Sequence, residues 1–337
     1  MVRYITKRCL LVVPTILGVI TLVFLLRFLS PGDPARLYLG ERATPQAVAI
    51  LRKDWGLDRP KIEQYLVYMK RVAHLDLGRS FKTGDPVIRE ILERFPATVE
   101  LAVTSTVIAS VLGVIAGVVA ATRRNSLADF ACMVGSLVGV SVPIFWLGLI
   151  FIIVFAVNLH LFPTGGRLGA RMLMEPITGF YTLDGLIRLA KEHNPAYFFS
   201  CLYHLVLPSM ALASVPLAVI ARVTRSSMLE ILGQDYIRTA RAKGLPERTV
   251  VWSHAFRNAL LPVITIIGLE FGYNLAGAVL TETIFAWPGI GNWLYSAVLG
   301  RDYLAVQGGV AFVSVAFILM NLLVDVLYAY VNPRIRY

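Results

Sequence analysis

Charge is scarce in this chain. Asp, Glu, Lys and Arg make up 16% of its 337 residues and apolar residues make up 57%, where soluble domains carry about 25% charge. An ordinary soluble domain is excluded by that balance, and a membrane protein is indicated. Acid is the scarcer sign, 21 residues against 32 basic ones, for a net charge of +11. In a soluble chain that excess would point to nucleic acid. Here the basic residues sit mainly in loops beside apolar runs, so membrane topology and anionic lipid account for them and no nucleic-acid partner is expected. Cysteine is nearly absent. Cys9, Cys132 and Cys201 lie in or at the ends of apolar runs, which argues against a disulfide framework and reads as small apolar packing. The five histidines, His74, His160, His193, His204 and His254, show no metal-ligand spacing. No Gly-x-x-x-x-Gly-Lys-Ser/Thr phosphate loop occurs, and no nucleophile elbow surrounds Ser141 or Ser209. The sequence therefore offers no catalytic, metal or cofactor residues, and any uphill work has to draw energy from outside the chain.

What is abundant is the long apolar run. A helix spanning the hydrocarbon core takes about 20 apolar residues. Six stretches qualify: 9–29, 98–121, 131–157, 201–221, 259–281 and 306–329. None alternates with the period of two expected of a barrel strand, so the spacing predicts an all-α polytopic protein with six transmembrane helices. Arg3, Lys7 and Arg8 precede the first run, and Arg123 and Arg124 follow the second. Arg222, Arg225, Arg238, Arg241, Lys243, Arg248 and Arg257 lie between the fourth and fifth, and Arg334 and Arg336 close the chain. All fall on one side if both termini are cytoplasmic. The first run meets Ser30-Pro31-Gly32-Asp33-Pro34 without a convincing cleavage site and is expected to be retained.

Between the runs, residues 30–97 read as a folded external segment. Trp55, Leu57, Ile62, Tyr65, Leu66 and Met69 recur at near-helical spacing, and Thr44 before Pro45 is an N-cap followed by proline at the first helical position. Short amphipathic helices are expected over 45–54 and 60–73, and another over 87–94. A second external insertion, 160–200, holds a short helix over 183–192. Trp287 and Trp293 in the third external loop suit an interfacial aromatic belt. Two acids stand inside runs. Glu270, with Tyr273 and Asn274 at helical spacing, lines a path or braces a helix pair, while Asp325 sits close to the cytoplasmic end.

The polar segment between the fourth and fifth runs is too elaborate for a simple turn. Residues 235–243 are expected to be helical; Gly244 supplies the left-handed residue that ends the helix, and Pro246 opens the next. Two short helices at an angle make a knob able to enter a groove on a partner, and the small Ala240 is expected to let that groove approach closely.

Arg238-Thr239-Ala240, three residues and then Gly244 resemble the "EAA" coupling loop of ABC-importer permeases. The likeness covers nearly the whole chain. Gly56-Leu57-Asp58-Arg59-Pro60, Pro96-Ala97-Thr98-Val99-Glu100, Pro143-Ile144-Phe145-Trp146, Arg222 to Glu230, Thr281 to Gly289 and Asn332-Pro333-Arg334-Ile335-Arg336 are similar to the dipeptide/oligopeptide permease family, and Pro176 to Phe180 leans to its dipeptide branch. Arg238-Thr239 replaces the general Glu-Ala, leaving Asp235 as the acid available there. The resemblance implies a type I ABC-importer permease fold with an N-terminal helix and external segment (1–97), a permease core (98–331, coupling loop about 226–258) and a cytosolic tail (332–337). It further implies residence in a bacterial inner membrane. The implied partners are a second homologous permease, two ATP-binding subunits that hold ATP and Mg²⁺, and an external binding protein that delivers peptide. Asp235, Arg238, Thr239, Ala240, Lys243 and Gly244 are the expected coupling residues; Glu270 and Asn274 are candidates for the path. Glutathione, nickel chelates or haem are the other cargoes the family suggests. An ion-coupled secondary transporter is a weaker reading, because no inverted repeat or rich mid-membrane charge is evident.

Overall fold

The computed structural model describes residues 2–29, 33–40 and 43–331; Ser30-Pro31-Gly32 and the tail 332–337 lie outside them. Helices build nearly everything, and among the described residues the one extended pairing is an isolated bridge between Arg79 and Pro86.

The first transmembrane helix, α1 (Val2–Leu29), leads into three short helices, α2 (Pro34–Leu39), α3 (Pro45–Asp54) and α4 (Lys61–Ala73). The last two match the amphipathic segments expected from the sequence. Thr44 caps α3, its hydroxyl accepting from the Ala47 amide, with Pro45 in the first helical position.

The next helix, α5 (Val87–Thr122), merges what read as a short helix over 87–94 and a separate second span. Pro96 withdraws one backbone donor without ending the helix, as happens where neighbouring helices support the freed groups. The third run is not one straight helix. Its two parts, α6 (Leu127–Ser141) and α7 (Ile144–Phe151, continued by a π-helix over Ile152–Asn158), meet at 103°. The cause is local: Val142 precedes Pro143, whose ring disfavours helical backbone in its predecessor, and Val142 is extended at φ −83° and ψ 125°. Among the described residues, five helices are thus long and apolar enough to cross a membrane, and this bent pair makes a sixth span if counted as one.

A short helix α8 (Tyr181–Glu192) in the second insertion covers the expected 183–192. Then come α9 (Ala196–Leu232), α10 (Asp235–Ala242) and α11 (Glu247–Thr249), which continues through a π-helix over Val250–Phe256 into α12 (Arg257–Gly277). After Ala278 the chain forms α13 (Val279–Ile284), α14 (Ile290–Leu299) and α15 (Tyr303–Val331).

The centre of the bundle is the α5–α9 pair. Ala109, Gly113, Gly117 and Ala121 repeat every four residues along one face of α5, the small-residue stripe that lets helix backbones approach in a membrane. A Cβ on Gly117 would lie 2.6 Å from both the Ala221 carbonyl oxygen and Thr224 Cβ, so only glycine permits this spacing.

Candidate functional site

The polar knob begins where α9 ends. α10 has two inward residues, Ile237 and Ala240, buried among Met228, Val250, Val251, Ala255 and the α5 residues Val118 and Ala121. Burying a side chain such as Ile237 contributes on the order of 2 kcal/mol, so the knob is fastened to the ends of α5 and α9. Its turn is a Schellman arrangement. Gly244 has φ +75°, its amide donates to the Arg241 carbonyl at 2.9 Å, and the Leu245 amide donates to the Ala240 carbonyl at 3.4 Å. Arg241 donates through Nε (3.1 Å) and Nη2 (2.6 Å) to the two carboxylate oxygens of Glu247, tying the two sides of the turn.

The outward face carries Asp235, Tyr236, Arg238, Thr239, Lys243, Gly244 and Leu245, all exposed. Asp235 and Arg238 form a loose exposed pair at 3.5 Å, which contributes little stability. Ala240 stands apart from the other expected coupling residues: it faces the chain's own core rather than an approaching partner. Tyr236 and Leu245, exposed apolar residues on the knob, went unremarked in the sequence, although an aromatic residue within a polar loop, such as Tyr236, is a signal of a contact surface.

Two features tie the knob to the bundle. Its second helix and the fifth run are one continuous helix, Glu247–Ala276, interrupted only by the π-helical turns that often mark functional positions. Behind it, Arg225 on α9 grips Asp129 at the start of α6 through bonds of 2.5 and 2.9 Å.

Farther along α12, the Asn274 amide nitrogen donates to Ser105 Oγ and Thr106 Oγ1 of α5, both at 3.1 Å. Glu270, one turn earlier, is buried as well. Of the two, Asn274 braces α12 against α5, while Tyr273 between them is exposed. The Asp325 side chain lies outside the described residues.

At the opposite end of the bundle is a buried polar cluster that the sequence did not announce. Glu100 of α5 accepts from Arg167 Nη2 at 2.7 Å, and its other oxygen accepts from the Thr182 amide (2.6 Å) and hydroxyl (2.5 Å). Arg167 stacks 3.9 Å from the Tyr181 ring centroid and also donates to the Gly179 carbonyl. Asp184 accepts from the amides of Ile177, Thr178 and Gly179. The second insertion is thereby pinned to α5. Trp287 is fully buried and donates to the Ala97 carbonyl at 2.8 Å, so it is a core residue and not part of an interfacial belt. Beside it, Glu282 accepts from the Thr98 hydroxyl at 2.7 Å and the Asn292 amide at 2.9 Å. Burial pushes the Glu282 carboxyl up to about 7. The bonds that Ala97, Thr98 and Glu100 of α5 make here join residues 67 to 190 apart in sequence, beyond the reach of any local pattern.

Among the described residues no three His, Cys, Asp or Glu side chains converge as a metal site, and Cys9, Cys132 and Cys201 are all free.

Comparison with known proteins places this geometry. Residues 113–337 match the family described as binding-protein-dependent transport system inner membrane component, and residues 1–102 match that family's N-terminal region. The chain is 48% identical over 338 residues to the di/tripeptide transport system permease protein DppB of Pseudomonas aeruginosa, covering 100% of this chain and 99% of that one. It is 47% identical to the dipeptide transport system permease protein DppB of Escherichia coli K12, with the same coverage. The like-named permease of Alkalihalophilus pseudofirmus is 44% identical, with both chains wholly covered.

Proposed function

The chain belongs to the inner-membrane-component family of binding-protein-dependent transport systems, and from that premise we propose that it is the permease subunit of an ATP-driven importer of dipeptides or short oligopeptides. The family is a membrane permease and not a catalytic subunit. The observation that carries the cargo is the 44–48% identity, over the whole length, to permeases named for dipeptide or di/tripeptide transport.

In this reading the chain works beside a second homologous permease in an inner membrane, with both termini on the cytoplasmic side. Two ATP-binding subunits hold ATP and Mg²⁺, and an external binding protein delivers the peptide. Residues 1–97 form the N-terminal helix and external segment, 98–331 the permease core and 332–337 the tail. The ATP-binding subunits grip the outward face of the knob. Asp235, Arg238, Thr239 and Lys243 supply polar contacts, Tyr236 and Leu245 apolar anchors, and Gly244 the turn that sets the angle. Ala240 and Ile237 transmit rather than touch: buried against the ends of α5 and α9, they oblige those helices to follow when the knob moves. Closure of the ATPase pair draws the knobs together, and the continuous helix Glu247–Ala276 carries that displacement to Glu270 and Asn274, a rigid-body change of access.

The test is uptake of a labelled dipeptide into vesicles holding the permeases and ATPases, with binding protein added outside and ATP inside. Uptake should need this chain and ATP together; uptake driven by an ion gradient without ATP would overturn the reading. Orientation is checked in intact cells, where an impermeant thiol reagent should label Gly84→Cys and spare Lys243→Cys; labelling of position 243 would reverse it.

A further inference from the structure

The external segment and the bundle enclose a cleft of about 850 Å³, inside the roughly 300–1,000 Å³ range of small-ligand sites. One wall comes from α2, α3 and α4. The other comes from the turn over 76–86, closed by the Arg79–Pro86 bridge, and from the first residues of α15. Aromatic rings span the gap. Trp55, just after α3, stacks on Phe81 of the turn with centroids 5.5 Å apart, and Tyr38 meets both edge-on at 5.2 and 4.9 Å. Trp55 is still 36% exposed and Tyr38 49%, so these rings present surface to the cleft.

The charges around the cleft are only partly matched. Arg59 donates to Glu63 at 2.8 Å and Arg71 to Asp76 at 2.8 Å. Among the described residues, the other two charged side chains of the lining form no ion pair. Asp54 ends α3 beside Trp55, and Arg79, two residues before Phe81, makes one hydrogen bond, from Nη1 to the Gly84 carbonyl at 3.1 Å. One unmatched charge of each sign therefore flanks the Trp55–Phe81 stack, carried on opposite walls. Amide chemistry lies between them. Gln307 of α15 is 9% exposed. The Gln64 amide nitrogen is held by the Leu57 and Arg59 carbonyls at 2.9 and 2.7 Å. Among the described residues no donor reaches the buried Gln64 Oε1, and a buried acceptor is costly until a donor meets it.

A ligand that answers all of these groups carries an ammonium, a carboxylate, an amide N–H and an apolar side chain. We propose that the cleft is a binding site for a short peptide with free termini, on the permease itself. The ammonium sits at Asp54, the carboxylate at Arg79 and an apolar side chain against the Trp55–Phe81 stack. The cleft adjoins the start of α5, whose other end packs on the knob, so it takes peptide on the face away from the ATP-binding subunits. The inference rests on the peptide cargo proposed above.

The test is equilibrium binding of tritiated Ala-Phe to the assembled permeases and ATPases in lipid nanodiscs, without binding protein or ATP. Binding should saturate. Asp54→Asn and Arg79→Gln should each weaken it at least about tenfold, as loss of a charge-assisted hydrogen bond predicts. Val67→Trp, which fills the cleft from α4, should abolish it while the thermal midpoint stays parental. Acetylating the peptide should cost nothing further in Asp54→Asn, and amidating it nothing further in Arg79→Gln. Phosphoethanolamine, which has a lipid headgroup's two charges without the amide or side chain, should not displace the peptide. Absent binding, binding indifferent to all three variants, or displacement by phosphoethanolamine overturns the site. Uptake of the same peptide, with binding protein and ATP restored, separates the two readings: uptake without cleft binding removes only the site, whereas no uptake removes the cargo it rests on.

Discussion

On the proposed reading, Gly244 is a position where coupling can be perturbed without disturbing the fold. Its backbone has φ +75°, and a Cβ built there meets no atom within 4 Å, so a side chain adds backbone strain and no collision. A non-glycine residue in left-handed geometry costs roughly 1–2 kcal/mol, which shifts the balance of turn conformations by a factor of about 5–30. A β-branched side chain sits at the upper end. The strain falls on the Schellman bonds and on the Arg241–Glu247 pair, and leaves Ile237 and Ala240 in their packing. Gly244→Val should therefore insert and unfold like the parent, yet lose most of its peptide-stimulated ATP hydrolysis when assembled with its ATPases and binding protein in vesicles. Gly244→Asn is the discriminating control, because asparagine tolerates left-handed backbone and should restore most of the activity. Parental activity for Gly244→Val would refute the reasoning, as would equal damage from Asn and Val.

Removing the cation from the far-face cluster should be costly. Arg167→Met leaves Glu100 buried with no counter-charge, a loss of about 3–5 kcal/mol, and should lower the thermal midpoint in detergent; adding Glu100→Gln should recover part of it, and an unchanged midpoint in the single variant would contradict the buried pairing. Glu282 makes the pH dependence testable. Its folded carboxyl is held near 7 against an ordinary value of 4.5, so the folded chain binds more protons between those values and stability falls as pH rises through that window. Melting from pH 4.5 to 7.5 should show this decline, and Glu282→Gln should flatten it; an equal slope in both would remove Glu282 as its source.

Local chemistry made the short helices and the knob legible. Thr44 with Pro45, the near-helical spacing of 60–73 and the pairing of Gly244 with Pro246 each act within one turn of chain, and each appears in the structure. The sixth span was countable from its apolar run, but its bend was not, although Pro143 after Val142 carried the cause. The helix expected over 87–94 and the run 98–121 proved to be one helix, because the surrounding bundle supports α5 through Pro96. Ala240 and Trp287 show a different limit. Each was assigned to a surface from its type and neighbourhood, and each is turned inward by tertiary packing that periodicity does not report. Arginine at position 240 would therefore test the packing of α10 and not its docking. The cluster of Glu100, Arg167, Thr182 and Glu282 was out of reach because its members are joined only in three dimensions.

The central claim, that the outward face of α10 is where the ATP-binding subunits take hold, is tested most directly by photo-crosslinking from that face. A benzophenone placed by Thr239→Cys or Lys243→Cys should join this chain to an ATP-binding subunit in the assembled transporter, while one placed by Gly84→Cys at the opposite end should not. Crosslinks to the ATP-binding subunit from elsewhere in the chain, with none from positions 239 and 243, would contradict it.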